Sequence, residues 1–233
     1  MKYTIKVFRF DPDKDKKMGR FETYEIEGNP FDRVLDALHY IQEKDSTLAF
    51  RRSCGHGMCG SDGMTINNRS ALACKVLLKD LKQPIVVEPL RGFRVIRDLI
   101  VDMEPFFENI KKVKPYLVSK SEPRGTEFLQ SPKDFKRMGN SPNCILCGCC
   151  YSSCPSFWGD EKFIGPAAFV KAFRYITDSR DSASEERLKI ISGRHGLPRC
   201  HTIINCTEAC PKDIDITGAI SALKKQSASQ ILF

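Results

Sequence analysis

Apolar and polar residues alternate through residues 2–10 and again through 20–27, the period-two pattern of half-buried strands. The polar, glycine-containing segment DPDKDKKMG between them predicts a hairpin loop. Over 31–44 the period lengthens: Val34, Leu35, Leu38 and Ile41 gather on one helical face, with Pro30 near its start. Short strands are expected at 64–67 and 71–77, flanking an Asn67-Asn68 turn, and at 84–89. Together these elements predict a mixed sheet wrapped on one helix. After Pro89 the pattern changes. Val95, Ile96, Leu99, Ile100 and Met103 fall at helical spacing across 94–112. The polar stretch 119–142, rich in proline, predicts loop with a short helix. Helices are expected at 163–177, where Phe169, Phe173 and Ile176 share one side, at 184–192 and at 216–226. The pattern thus predicts an α+β chain: a mixed domain over 1–95 and an all-α domain over 96–233.

Cysteine spacing adds chemistry to this division. Cys144, Cys147, Cys150 and Cys154, followed by Pro155, form the run C-x2-C-x2-C-x3-C-P. Cys200, Cys206 and Cys210, followed by Pro211, repeat it with Ile203 at the second cysteine's place. In two-cluster bacterial ferredoxins the fourth cysteine of each run crosses to the other cluster. That rule groups Cys144, Cys147, Cys150 and Cys210 as four thiolates, which suits a 4Fe–4S cubane. It groups Cys154, Cys200 and Cys206 as three thiolates facing an isoleucine that cannot ligate iron, which suits a 3Fe–4S cluster. Each run is expected at a turn beside helices, redirected by a proline that lacks an N–H and has a fixed φ.

A third site precedes these. Cys54-x4-Cys59-x2-Asp62, then Cys74, is plant-type 2Fe–2S spacing with aspartate in the third position. Glycines around this loop let the backbone wrap an inorganic core and aim its N–H groups at sulfur. Asp62 is either an oxygen ligand to iron or the cap of a Ser61-Asp62-Gly63 turn. Cys74 is expected to return to the site from a strand.

The chain has 233 residues and eleven cysteines. An odd count fits disulfides poorly, and MKYTIKVFRF lacks the apolar run of a secretory signal. Metal-bound thiolates in a reducing compartment are the better expectation. Nothing approaches the ~20 apolar residues of a membrane span. The formal net charge of +8 falls to about +3 once three oxidised clusters and their ionised thiolates are included. Much of the basicity, Arg51 and Arg52 included, is therefore counter-charge to the chain's own centres. No nucleic-acid-binding module accompanies it. Cys149, outside the repeat, reads as a small buried apolar side chain. A structural zinc protein would explain C-x2-C pairs but neither the full repeat nor the glycine-rich loop.

With these motifs in hand, the chain resembles the iron–sulfur subunits of succinate dehydrogenase and quinol:fumarate reductase. The likeness runs through FRRSCGHGMCGSDG, LAC, VIRDLIVDM, CILCGCCYSSCPSFW, FIGPAA, ITDSRD and RCHTIINCTEACPK. It implies an N-terminal β-grasp, plant-type ferredoxin domain and a C-terminal helical, bacterial-ferredoxin-like domain. It implies the ligand partition already given by spacing. It also implies partners: a FAD-containing flavoprotein and membrane anchor subunits, with or without haem b, which hold the chain peripherally on the cytoplasmic face of a prokaryotic membrane. Electrons from succinate would pass from FAD through 2Fe–2S, 4Fe–4S and 3Fe–4S to a membrane quinone. In a fumarate reductase the flow reverses. A subunit serving a different flavoprotein is the other alternative, against which Ile203 argues.

The family's quinone contacts fall on Pro155, Ser156, His201 and Ile203. Ser156 is expected to bond a quinone oxygen or to cap a helix. His201 is expected to bond quinone and relay protons, or to pack. Ubiquinone-type members carry two adjacent tryptophans here, whereas Trp158 precedes Gly159. The quinone therefore stays open between ubiquinone and a naphthoquinone such as menaquinone, and Trp158 between quinone neighbour and core residue.

Overall fold

A computed structural model of the chain describes residues 1–15, 18–120, 125 and 127–231, with backbone alone at 230 and 231. The strands in chain order are β1 (Lys2–Arg9), β2 (Arg20–Glu27), β3 (Gly63–Ile66), β4 (Arg69–Leu72), β5 (Ile85–Glu88), β6 (Val95–Arg97) and β7 (Ile100–Val101). The helices are α1 (Val34–Lys44), α2 (Glu104–Lys112), α3 (Pro132–Arg137), α4 (Cys149–Ser152), α5 (Pro155–Gly159), α6 (Pro166–Ile176), α7 (Ser184–Ile191), α8 (Asn205–Glu208) and α9 (Ile216–Ile231). They form two compact units. The first takes Met1–Met103 together with Ile145–Ser153; the second takes Glu104–Cys144 and the chain from Cys154 onward. The division expected at 95/96 thus differs from these units twice: the first extends to Met103, and it recruits most of the first cysteine run. The expected hairpin loop includes residues 16 and 17, and the expected 119–142 loop includes 121–124 and 126; those positions lie outside the described residues.

In the first unit, β1 and β2 pair antiparallel from Lys2↔Glu27 to Arg9↔Arg20, and β1 runs parallel to β5. The sheet order is β2-β1-β5-β3-β4. Alternation in β1 buries Tyr3, Ile5 and Val7 on one side, and α1 buries Val34, Leu35, Ala37, Leu38 and Ile41. Each fully buried aliphatic is worth about 1.5–3 kcal/mol. A one-residue slip of β1 would expose its whole apolar set, so burial fixes the register. Asn67 and Asn68, both at positive φ (44° and 68°), make the two-residue turn between β3 and β4.

The helix expected over 94–112 is instead a β6–β7 hairpin followed by α2. Its turn holds Asp98 at φ 44°. The Asp98 carboxylate, nearly fully buried, accepts from Phe10 N (2.9 Å), Ala49 N (2.8 Å) and Arg9 Nε (3.1 Å). These long-range bonds override the local helical spacing, and β-branched Val95, Ile96, Ile100 and Val101 suit strands. Cys74 is likewise in a turn, two residues after β4 ends.

The recruited segment is clamped to the sheet. Ser152 Oγ, buried, accepts from Arg91 N (2.7 Å) and Ser70 Oγ (3.0 Å). Tyr151 is fully buried with its ring 6.4 Å from that of Phe93.

The second unit has only helices and irregular chain among its described residues. Central α6, which begins on Pro166, touches α2, α7 and α9. Phe106, Ile110, Phe169, Ile191, Ile220 and Leu223 fill this core. Arg187 is fully buried. It is paired with buried Asp181 and donates to the carbonyls of Val113, Lys114 and Tyr116, which meets the need of a buried cation for full pairing.

Candidate metal centres

Residues 51–63 form the first centre. Arg51 Nη1 donates to Val101 O (2.8 Å) and Arg33 Nη1 to Gly55 O (3.0 Å), anchoring the loop. Gly55, Gly57 and Gly60 take φ of 69°, 78° and 72°, conformations that L side chains resist. The curl turns N–H groups inward. Cys54 Sγ accepts from His56 N (3.5 Å), Met58 N (3.3 Å) and Cys59 N (3.3 Å). Cys59 Sγ accepts from Cys54 N (3.4 Å) and lies 2.8 Å from Ser61 Oγ. Led by the N–H groups of His56 and Met58, these bonds pull the Cys54 thiol down to about 6. A thiolate is the ligand form.

Asp62 and Cys74 close the other side. Asp62 is buried, and its Oδ2 accepts from Cys74 N at 2.6 Å. Burial, then the bond its thiol donates to Asp62, push Cys74 up to about 12. Asp62 therefore faces a cysteine twelve residues away rather than capping its own turn. A carboxylate has lone pairs enough for both Cys74 N–H and an iron.

The recruited segment lies directly on this loop. A Cβ added at Gly60 would sit 2.9 Å from Cys147 Cβ and from Ile145 O; one at Gly63 would sit 2.7 Å from Cys147 O. Cys59 and Asp62 are thus each one residue from a glycine pressed against Cys147. Cys149, fully buried as expected, is not an inert filler. Its thiol donates to Cys147, which pulls Cys147 down and Cys149 up.

The three-thiol group lies within the second unit. Cys154, Cys200 and Cys206 line one cavity of about 390 Å³, open mouth included. Pro155, Ser156, His201 and Ile203 line it too, and Trp158 does not. Burial pushes Cys206 up to about 11 and raises Cys154. Ser156 is no helix cap: the N-cap of α5 is Cys154, and the buried Ser156 bonds to the Cys154 sulfur. His201 is exposed rather than packed. Trp158, Ile203 and Ile204 are 48, 47 and 49% exposed, so Trp158 is not a core residue.

The two runs share a backbone. Leu146 and Thr202 both take φ 57°; Gly148 and Ile204 take 80° and 74°. Each run follows a 3-10 turn, at Ser141–Asn143 and Leu197–Arg199, and left-handed Gly148 and Ile204 cap the one-turn helices α4 and α8. In this shared frame Ile203 matches Cys147. Spacing alone does not reveal two lysines that hold the first cysteine of each run. Lys171 Nζ donates to Cys144 O (3.3 Å), and Lys224 Nζ to Cys200 O (2.7 Å).

Cys144 and Cys210 belong to the second unit, Cys147 and Cys150 to the first. No cysteine is in a disulfide. Among the described residues, no three His, Cys, Asp or Glu side chains close tightly enough to hold one metal ion. A tetrahedral zinc site needs four donors about 2.0–2.3 Å from a single ion. An iron–sulfur core spreads its donors over several irons, and thiolates are the donors it takes.

Comparison with known proteins agrees. Residues 4–108 match the 2Fe-2S iron-sulfur cluster binding domain, and residues 140–214 the 4Fe-4S dicluster domain. The chain is 46% identical over 226 residues to the succinate dehydrogenase iron-sulfur subunit of Coxiella burnetii, covering 96% of each. It superposes with TM-score 0.89 on a chain of the Mycobacterium smegmatis Sdh1 complex in the apo form, at 27% identity, covering 98% of this chain and 96% of that one. Part of a hypothetical protein from Helicobacter pylori shares the fold alone, at TM-score 0.59 and 17% identity, covering 97% of this chain and 39% of that one. The chain therefore belongs to the succinate dehydrogenase iron–sulfur subunits, electron-transfer components that carry 2Fe–2S and 4Fe–4S domains.

Proposed function

We propose that this subunit holds three clusters in a membrane-bound succinate dehydrogenase. Cys54, Cys59, Asp62 and Cys74 hold 2Fe–2S; Cys144, Cys147, Cys150 and Cys210 hold 4Fe–4S; Cys154, Cys200 and Cys206 hold 3Fe–4S. When bound, the clusters carry single electrons between FAD on a flavoprotein subunit and a quinone held with membrane anchor subunits, with or without haem b.

The chain's own residues suit the two ends. At the first loop Cys59 and Met58 are exposed, so a donor can approach a ligand closely. At the three-thiol cavity, exposed Ile203 and Ile204 offer an apolar lip, and Pro155, Ser156 and His201 line its interior or rim. A quinone needs an apolar bed with a few polar groups. Among the described residues no helix is long and apolar enough to cross a membrane. In this reading, anchor subunits on the cytoplasmic face of a prokaryotic membrane hold the chain. Three thiols around one cavity, with Ile203 standing where its twin run has Cys147, carry this reading.

The test is purification of the complex. Flavoprotein and anchor should co-purify, with about nine irons per chain and a paramagnetic three-iron signal in the oxidised state. Assays with succinate and fumarate decide the working direction. A loaded, active complex with far fewer irons, or without the three-iron signal, overturns the proposal.

A further inference from the structure

Outside the ligands, two hydroxyls stand beside the three-thiol cavity. Thr207 lies on α8 next to Cys206, and Thr217, in the first turn of α9, lines the cavity itself. Thr217 N donates to Thr207 Oγ1 at 2.9 Å, and the two Oγ1 atoms lie 2.8 Å apart. The Thr217 side chain also bonds to the Cys206 sulfur.

Hydrogen bookkeeping orients this group. A cluster-bound cysteine is a thiolate and can only accept, so the Thr217 hydroxyl donates its single hydrogen to Cys206. That hydrogen is then unavailable to Thr207. The short contact between the hydroxyls is therefore made by Thr207 donating to Thr217. Thr207 is oriented in turn by the backbone N–H of Thr217, which occupies one of its lone pairs. The chain runs one way: Thr217 N–H, Thr207 O–H, Thr217 O–H, Cys206 sulfur. Each bond polarises the next. In the first run Tyr151, fully buried, stands at the position matching Thr207, so the threonine pair is particular to the second run.

We propose that Thr207 and Thr217 form a directed hydroxyl relay that donates to Cys206 and holds the potential of the three-iron centre high. This rests on the 3Fe–4S reading above. Bonds donated to a ligand sulfur draw electron density from the cluster and favour its reduced form. Neither residue is a ligand; both act through Cys206, as positioning residues.

The experiment is a paramagnetic-resonance redox titration of the purified complex carrying Thr217→Val, Thr217→Ser or Thr207→Val. Valine keeps the branched shape and removes the hydroxyl. Thr217→Val should lower the midpoint potential of the three-iron signal, and Thr217→Ser should restore it. Thr207→Val should lower it less, because the final donor remains. The 2Fe–2S potential should not move in any variant. An unshifted three-iron potential in Thr217→Val overturns the relay. Should Thr217→Val fail to load three irons, normal loading of Thr217→Ser supports the hydroxyl's role. Failure of both overturns it in favour of packing. A wild-type complex without a three-iron signal instead sinks the underlying 3Fe–4S assignment, before any variant is made.

Discussion

Replacing Ile203 with cysteine asks whether one ligand separates the two kinds of cluster. The backbone is already matched: φ values of 57° and 74° at Thr202 and Ile204 parallel 57° and 80° at Leu146 and Gly148, around Cys147. A cysteine at 203 therefore starts from the frame that presents Cys147. The cost is small. Ile203 is 47% exposed, so its loss forfeits roughly half the ~1.5–3 kcal/mol of a fully buried aliphatic. Charge is no obstacle either: a +1 core on three thiolates and a +2 core on four carry the same net charge. The expected product is a second cubane, with iron rising from about nine to about ten per chain. In the oxidised complex the three-iron signal should vanish, and the converted centre should accept electrons less readily. The assay is iron and sulfide analysis beside paramagnetic resonance of oxidised and stepwise-reduced complex. An undiminished three-iron signal in fully loaded Ile203→Cys complex would refute the register that pairs position 203 with Cys147.

Two further substitutions examine the first centre. Asp62→Ala should alter the 2Fe–2S signal while leaving the other two intact, and should cost about 1–3 kcal/mol by stranding the Cys74 N–H. Asp62→Cys should keep a 2Fe–2S signal, and an unchanged spectrum in Asp62→Ala would return Asp62 to a purely structural role. Gly63 is not at positive φ, so Gly63→Ala tests contact alone: its Cβ would sit 2.7 Å from Cys147 O. An overpacking cost of about 1–3 kcal/mol should appear as a lowered denaturation midpoint with weaker magnetic interaction between the first two clusters. A wild-type midpoint and interaction would mean that the loop and the recruited segment are not in register there.

Local pattern and long-range contact divide what was legible. Alternation at Tyr3, Ile5 and Val7 is a local property, and β1 and β2 follow it. The repeat of the two cysteine runs was legible for a similar reason: its spacing is a local property, and the φ pattern the two runs share is the physical form of that repeat. The spacing of Val95, Leu99, Ile100 and Met103 suits a helix equally well. It yields to a hairpin because Asp98 bonds to Phe10 N and Ala49 N, which no window around 98 contains. The recruitment of Ile145–Ser153 to the first unit depends on Ser70, Arg91, Gly60 and Gly63, distant in sequence. Thr217 gave no signal at all, since an isolated threonine at a helix start has many other uses.

Ile204 presses the link between strain and function furthest. A β-branched residue at φ 74° is a true outlier, costing roughly 1–2 kcal/mol, and its twin Gly148 avoids that cost. Burial does not explain the isoleucine, because Ile204 is 49% exposed. Strain of this kind persists where the surroundings or the function require the side chain, and Ile204 sits beside Ile203 on the lip of the three-thiol cavity. Ile204→Gly should therefore relieve the backbone. Glycine's extra freedom in the unfolded chain takes back about 0.5–1 kcal/mol. Losing the half-buried side chain forfeits a further ~0.75–1.5 kcal/mol, so the stability of the chain should change by no more than about 1.5 kcal/mol, while quinone reduction by the assembled complex falls because the apolar lip is cut back. A chain strongly destabilised by Ile204→Gly, with quinone reduction intact, would show that Ile204 serves packing, and that the strain has no part in the exit of electrons.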